Sequence, residues 1–181
     1  VVAGGERVPP TLLKRDGTAE LPRTRYVKAS TADALRWLMW LGVEHGTGEQ
    51  ARLASYLVGG KTGTAEKPGR GGYSADRVLA SFVGAFPIQA PRYLVFVALD
   101  EPHGDAGTHG YHYGGWTAAP VVAAIIDRIG PLLNVAPTPP TVETAMRQRL
   151  ARLLPDIVDS EGRYHTNSGP EAQLAAGIAL R

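Results

Sequence analysis

The chain of 181 residues contains no cysteine. That excludes disulfide staples, thiolate nucleophiles and zinc held by sulfur, and it leaves the redox compartment open. Long apolar runs are lacking as well: the most apolar stretch, residues 118–126, contains Pro120 and falls far short of the ~20 residues that span a bilayer. No excess of one charge exists, since 19 Lys and Arg face 17 Asp and Glu for a net +2. No basic block stands out as a stripe for nucleic acid, so no nucleic-acid partner is expected. No charged-then-apolar leader opens the sequence, and there is no initiator methionine: the chain starts at Val1 and its methionines are Met39 and Met146. We therefore expect a piece of a longer protein, with an N-terminal part upstream.

What is present is a globular balance, 44% hydrophobic and 20% charged, which excludes disorder over the whole length. The 22 glycines and 14 prolines predict many turns and a strand-containing fold. Residues 8–13 read as a short extended segment and Asp16-Gly17 as a turn. Ser30, Thr31 and Asp33 read as a helix start, a hydroxyl cap with a carboxylate near the positive end of the dipole. Leu35, Leu38, Met39 and Gly42 follow at helical spacing, and Gly46 and Gly48 end the helix around His45. Trp37 and Trp40 make that helix apolar nearly all round, so both read as core. Residues 57–65 are expected to be extended and 68–72 to form a Gly-rich loop. Residues 78–86 and 93–99 are expected as adjacent antiparallel strands. A helix over 117–133 carries Pro120 in its first turn and Val121, Ile125, Ile129 and Leu132 as its buried stripe. Residues 136–141 read as a stiff Pro-rich linker, followed by an Arg-bearing amphipathic helix over 142–154 and a polar remainder with a helix around 172–180.

Gly60-Lys61-Thr62 invites comparison with a nucleotide-binding loop, but Ser55 stands where that motif needs its first glycine, and Pro68-Gly69 breaks the helix it should open. A Lys-Thr-Gly triplet on a strand is the better reading. Lys61 supplies positive charge for a substrate carboxylate, and the Thr62 and Thr64 hydroxyls donate to it. Gly63 removes a side-chain wall, and the N–H just after it can face a developing oxyanion. Taken alone the triplet is a weak signal.

Its surroundings are specific. Gly59-Gly60-Lys61-Thr62-Gly63-Thr64-Ala65-Glu66-Lys67 is followed by Gly72-Tyr73, Ser81-Phe82-Val83-Gly84-Ala85-Phe86-Pro87, Asp100-Glu101-Pro102 and Gly114-Gly115-Trp116-Thr117-Ala118-Ala119-Pro120. With Val8-Pro9-Pro10-Thr11-Leu12-Leu13 and Val43-Glu44-His45-Gly46-Thr47-Gly48, this ordered set resembles the C-terminal half of the transpeptidase domain of class B penicillin-binding proteins, of the division-specific D,D-transpeptidase (FtsI) type. The resemblance covers residues 1–135. It implies an α/β fold of the α+β kind: an antiparallel sheet flanked by helices, the serine β-lactamase-like transpeptidase fold, incomplete in this chain, with the Lys61 strand at a sheet edge. It implies Lys61 and Thr64 as catalytic residues and Thr62, Gly63, Tyr113, Gly114 and Gly115 as substrate-binding residues, with Tyr73 a weaker candidate. It implies no cofactor.

Of the three motifs that family uses, Ser-x-x-Lys, Ser-x-Asn and Lys-Thr-Gly, only the third occurs here: no serine has a lysine three residues on or an asparagine two residues on. The other two, and a membrane anchor, are expected upstream. The implied reaction is serine attack on a D-Ala–D-Ala stem peptide, loss of D-Ala and transfer of the acyl group to an amine, with β-lactams mimicking the donor. The implied setting is the periplasmic face of a bacterial inner membrane, with a glycan polymerase and division proteins as partners. The loop over 102–115 also carries His103, Asp105, His109 and His112, ligand types that suit zinc, although a Gly-rich loop fixes ligands poorly and no metal is expected. The competing reading is a non-catalytic module that binds stem peptides or a metal. Residues 142–181 lie outside the resemblance.

Overall fold

The computed structural model describes residues 2–7, 9–10, 12, 22–69 and 71–153. Among the described residues the start of the chain forms a two-residue ladder, β1 (Glu6–Arg7) against β2 (Thr24–Arg25), tied by Arg25 donating to Glu6 at 2.7 Å. Then come α1 (Ala29–Glu44), a short 3-10 turn (Glu49–Ala51), β3 (Gly59–Gly69), β4 (Gly72–Phe86), β5 (Tyr93–Asp100), α2 (Gly114–Leu132) and α3 (Pro140–Leu153).

β3, β4 and β5 form an antiparallel sheet in that order, so β3 is an edge strand. Alternation along the strands sorts their side chains onto two faces. Phe82, Phe86 and Val58 pack with Ala118, Ala119, Val122 and Ile126 of α2 on one side. Ala85, Leu57 and Ile88 pack with Trp37 and Trp40 of α1 and with Met146 and Leu150 of α3 on the other. Phe82, Phe86, Trp40 and Ile126 are fully buried; each such side chain contributes about 1.5–3 kcal/mol by leaving water. The expected α/β architecture, helices on an antiparallel sheet with the Lys61 strand at an edge, is what the described residues form.

Several local expectations are corrected. α1 begins at Ala29 with Lys28 in the cap position and no side-chain cap bond; Ser30, Thr31 and Asp33 lie inside the helix, and Asp33 instead receives Arg36 and Arg149. Leu35 and Leu38 are exposed, because Ala32, Trp37, Trp40 and Val43 take the inward face. The Gly-rich loop at 68–72 is a tight hairpin, with pairing running to Gly69 opposite Gly72 and a bulge between Glu66 and Lys67. α2 starts at Gly114, which puts Pro120 in its second turn. Beyond the opening Gly114 and Gly115, its buried residues are Ala118, Ala119, Val122, Ala123, Ile126 and Gly130, whereas Val121 and Leu132 are exposed and Ile125 and Ile129 only partly covered. Close approach decides this phase: a Cβ on Gly130 would lie 2.5 Å from the Tyr56 ring.

The separating linker is also corrected. Thr138 donates its N–H to the Ser55 carbonyl at 2.8 Å, and α3 starts at Pro140 and buries Met146 and Leu150 against α1. Residues 136–153 are thus part of the packed body. The expected extended segment at 8–13 falls largely, and the turn at Asp16-Gly17 and the helix around 172–180 entirely, outside the described residues.

Candidate functional site

β3 places its polar residues by parity. Lys61 and Gly63 lie opposite Val83 and Ser81, while Thr62 and Thr64 lie opposite Phe82 and Ala80 and so belong to the α2 face. Lys61 is exposed, and its long stem returns to the strand: Nζ donates to the Thr62 carbonyl at 2.9 Å and to Thr62 Oγ1 at 3.3 Å. Thr62 Oγ1 also lies 3.1 Å from Thr47 Oγ1, in the turn that follows α1. Thr64 Oγ1 accepts the Gly114 N–H at 3.4 Å.

The opening of α2 is pressed against this strand, and only glycine permits the fit. A Cβ on Gly114 would come within 2.2 Å of the Ser81 carbonyl oxygen and 2.7 Å of that of Gly63. One on Gly115 would come within 2.2 Å of the Thr47 carbonyl oxygen. The positive end of a 19-residue helix therefore sits beside Thr64, on the same stretch as the Lys61 ammonium. An anionic group at this edge would meet a cation, two hydroxyls and a helix N-terminus. Gly63 is constrained from within: a Cβ there would lie 2.5 Å from Ser81 Oγ, which donates to the Gly63 carbonyl at 3.4 Å.

Of the seven residues picked from sequence, Lys61, Thr62, Gly63, Thr64, Gly114 and Gly115 are brought together, and Tyr113 stands next to them as the α2 cap, 40% exposed. Tyr73 is not: it lies at the hairpin tip opposite Pro68. The loop histidines make ring contacts, His109 edge-on to Trp116 at 5.5 Å and His112 against Tyr113 at 4.8 Å, while Tyr111 stacks on Trp116 at 5.5 Å. Asp105 Oδ1 accepts the Thr108 N–H at 2.9 Å. Among the described residues no three His, Cys, Asp or Glu side chains gather as a metal requires.

Two contributors escaped sequence reasoning. Ser81 and Thr47 reach the motif from 18 and 15 residues away; both lie in stretches that carry the family resemblance, but no sequence pattern assigned either side chain a role at the site. Beyond the site, Lys67 bonds Asp100 at 2.7 Å and Glu101 at 2.8 Å, and Arg77 bonds Glu101 at 2.9 Å. Hydrogen bonds to Asp100 and Glu101 raise the Lys67 pKa above its ordinary value, and those from Lys67 and Arg77 lower that of Glu101. This clasp ties β3 and β4 to the end of β5.

A family model described as the penicillin-binding protein transpeptidase domain matches residues 1–127. A probable peptidoglycan D,D-transpeptidase FtsI of Caulobacter vibrioides is 38% identical over 141 residues, covering 73% of this chain and 24% of that protein. The apo transpeptidase domain of Burkholderia pseudomallei penicillin-binding protein 3 is similar with a TM-score of 0.67 at 36% identity, over 77% of this chain and 41% of that one. Penicillin-binding protein 3 of Mycobacterium tuberculosis, complexed with aztreonam, is similar with a TM-score of 0.61 at 29% identity, over 77% of this chain and 34% of that one. The chain thus spans about a quarter of the length of the curated relative it matches.

Proposed function

The chain belongs to the penicillin-binding protein transpeptidase domain family, and from that premise we propose that it supplies the Lys-Thr-Gly strand of a serine-type peptidoglycan D,D-transpeptidase acting in division. One observation carries the reading: Lys61 Nζ, the Thr62 and Thr64 hydroxyls and the N-terminus of α2 converge on the open edge of β3. A stem peptide ending in D-Ala–D-Ala brings a terminal carboxylate next to its scissile amide. The carboxylate takes hydrogen bonds from Thr62 and Thr64 and the field of Lys61, and Gly63 lets the extended peptide lie along the edge.

The chemistry is acyl transfer. A serine hydroxyl loses its proton to a base and its oxygen attacks the penultimate carbonyl carbon; the amide C–N bond breaks and D-Ala leaves with a proton on its amine. An amine of a neighbouring stem peptide then attacks the ester and frees the serine. The Thr62 carbonyl accepts the Lys61 ammonium and so lies on the unpaired edge. Backbone groups two residues apart point the same way, which turns the Thr64 N–H toward the same side as an oxyanion donor. β-Lactams enter as donor mimics. Neither a serine with lysine three residues on nor Ser-x-Asn occurs in residues 1–181, so the nucleophile is supplied from outside this chain. Tyr113, Gly114 and Gly115 border the groove. The proposed setting is the periplasmic face of the inner membrane, with a glycan polymerase and division proteins as partners. Among the described residues no helix is long and apolar enough to cross a membrane.

The test is covalent labelling by a fluorescent penicillin. The full-length protein carrying these residues is expected to form a denaturation-resistant adduct, and residues 1–181 alone to form none. A labelled 1–181 band, or an unlabelled full-length protein, overturns the reading.

A further inference from the structure

α3 lies beyond residues 1–127, the span of the family model, yet it grips the end of α1 from which the turn holding Thr47 departs. Glu44, the last residue of α1, is a buried charged side chain, 8% exposed. Arg147 of α3 donates to it at 2.8 Å and to Glu143 at 2.7 Å, with its guanidinium 5.2 Å from the Trp40 ring centroid. A carboxylate buried this way needs its partner, because removing one member leaves an uncompensated charge. The chain then turns at once. His45 donates to the Leu41 carbonyl at 2.9 Å and Gly48 to that of Gly42 at 3.0 Å, so residues 45–48 are fastened to the last turns of α1. At the centre of that turn Thr47 meets Thr62 through their hydroxyls, and its carbonyl abuts Gly115. A shift at the end of α1 carries Thr47 with it.

The proton count at Thr62 gives this contact a chemical consequence. A hydroxyl has two lone pairs and one proton. Thr62 Oγ1 already accepts Lys61 Nζ; when Thr47 donates the second bond, both lone pairs are filled and the Thr62 proton is left for a substrate oxygen. If Thr62 spent its proton on Thr47, it could not donate to the carboxylate.

We propose that α3 is a positioning element of the Lys-Thr-Gly site: Arg147 holds Glu44, Glu44 holds the 45–48 turn, and Thr47 orients the Thr62 hydroxyl as a donor to the substrate carboxylate. This rests on the transpeptidase reading of Thr62. Glu44, Arg147 and Thr47 are positioning residues that act through Thr62.

The test uses the full-length transpeptidase with Thr47→Val, Arg147→Met, the double variant and Arg147→Lys. Penicillin acylation rates at low and saturating concentration, melting curves and the NMR signal of the Thr62 methyl group are recorded for each. Each single variant is expected to lower acylation about tenfold, the loss of one well-made hydrogen bond. The double variant falls little further, because both act through one contact. Arg147→Lys, which keeps the charge without the two-pronged grip, falls between, and it replaces Arg147→Met in the cycle if the latter does not fold. The Thr62 methyl signal moves in every variant. Multiplying losses in the double variant, or an unmoved Thr62 signal with only a lower melting temperature, overturns the proposal. An unacylated wild type overturns the transpeptidase reading, and the Thr62 signal still decides the role of α3.

Discussion

At the scale of single residues, the two kinds of glycine in the site separate by what they face. A methyl on Gly63 meets the tip of Ser81, which can rotate away at the cost of one long hydrogen bond. Gly63→Ala is therefore expected to cost about 1 kcal/mol of stability or less, and any larger fall in acylation then reports crowding of the groove; paired melting and labelling measurements check this. A methyl on Gly114 instead meets two backbone carbonyls that no rotamer relieves, and Gly114→Ala is expected to cost about 1–3 kcal/mol or more in a chemical denaturation curve. Lys61, Thr62 and Thr64 were legible because the motif is contiguous in the chain. The roles of Thr47 and Arg147 were not: their partners lie 15 and 103 residues away, and no local pattern says which side chain each one meets.

At the scale of elements, β4 and β5 were legible from their β-branched and aromatic runs, and the helices from their apolar content, but not the short β1–β2 ladder or the phase of α2. A helix apolar nearly all round has no periodicity strong enough to choose a face; the small residues Ala118, Ala119 and Gly130 choose it by allowing close approach to the sheet and to Tyr56. α3 was legible as a helix but its docking was not, because a Pro-rich stretch reads as a spacer, whereas here Thr138 is bonded into the body by Ser55, Leu57 and Gln89. The clasp at the end of the sheet makes a pH prediction. Glu101 has a lowered pKa, so its contribution is present above the unfolded value of 4.5 and is lost as pH falls through the lower folded value. Lys67 has a raised pKa, so its contribution is present below 10.5 and is lost as pH rises through the higher folded value. Lys67→Met should thus lower the melting temperature by a constant small amount between about pH 5 and 10, with the difference closing on both sides. A difference that persists in acid strong enough to protonate Glu101 in the folded protein would show the lysine acting through packing alone.

At the scale of the whole molecule, the sheet is covered unevenly. Leu94 and Phe96 of β5 are 54% and 62% exposed, and Leu79 of β4 is 40% exposed. Apolar surface of this kind promotes association. Purified residues 1–181 should self-associate in light scattering, and Phe96→Lys should reduce it; a stable monomer at high concentration would contradict this. In the proposed function the β3 edge is the carboxylate-binding wall of an acyl-transfer site. Stopped-flow penicillin acylation of full-length Lys61→Ala beside wild type, with melting curves for both, checks that role. Loss of one preorganised electrostatic group costs ~10²–10³ in rate. At least that fall is expected with an unchanged melting temperature, since Lys61 is exposed and its ammonium bonds Thr62 of its own strand. Acylation near the wild-type rate in Lys61→Ala would contradict it.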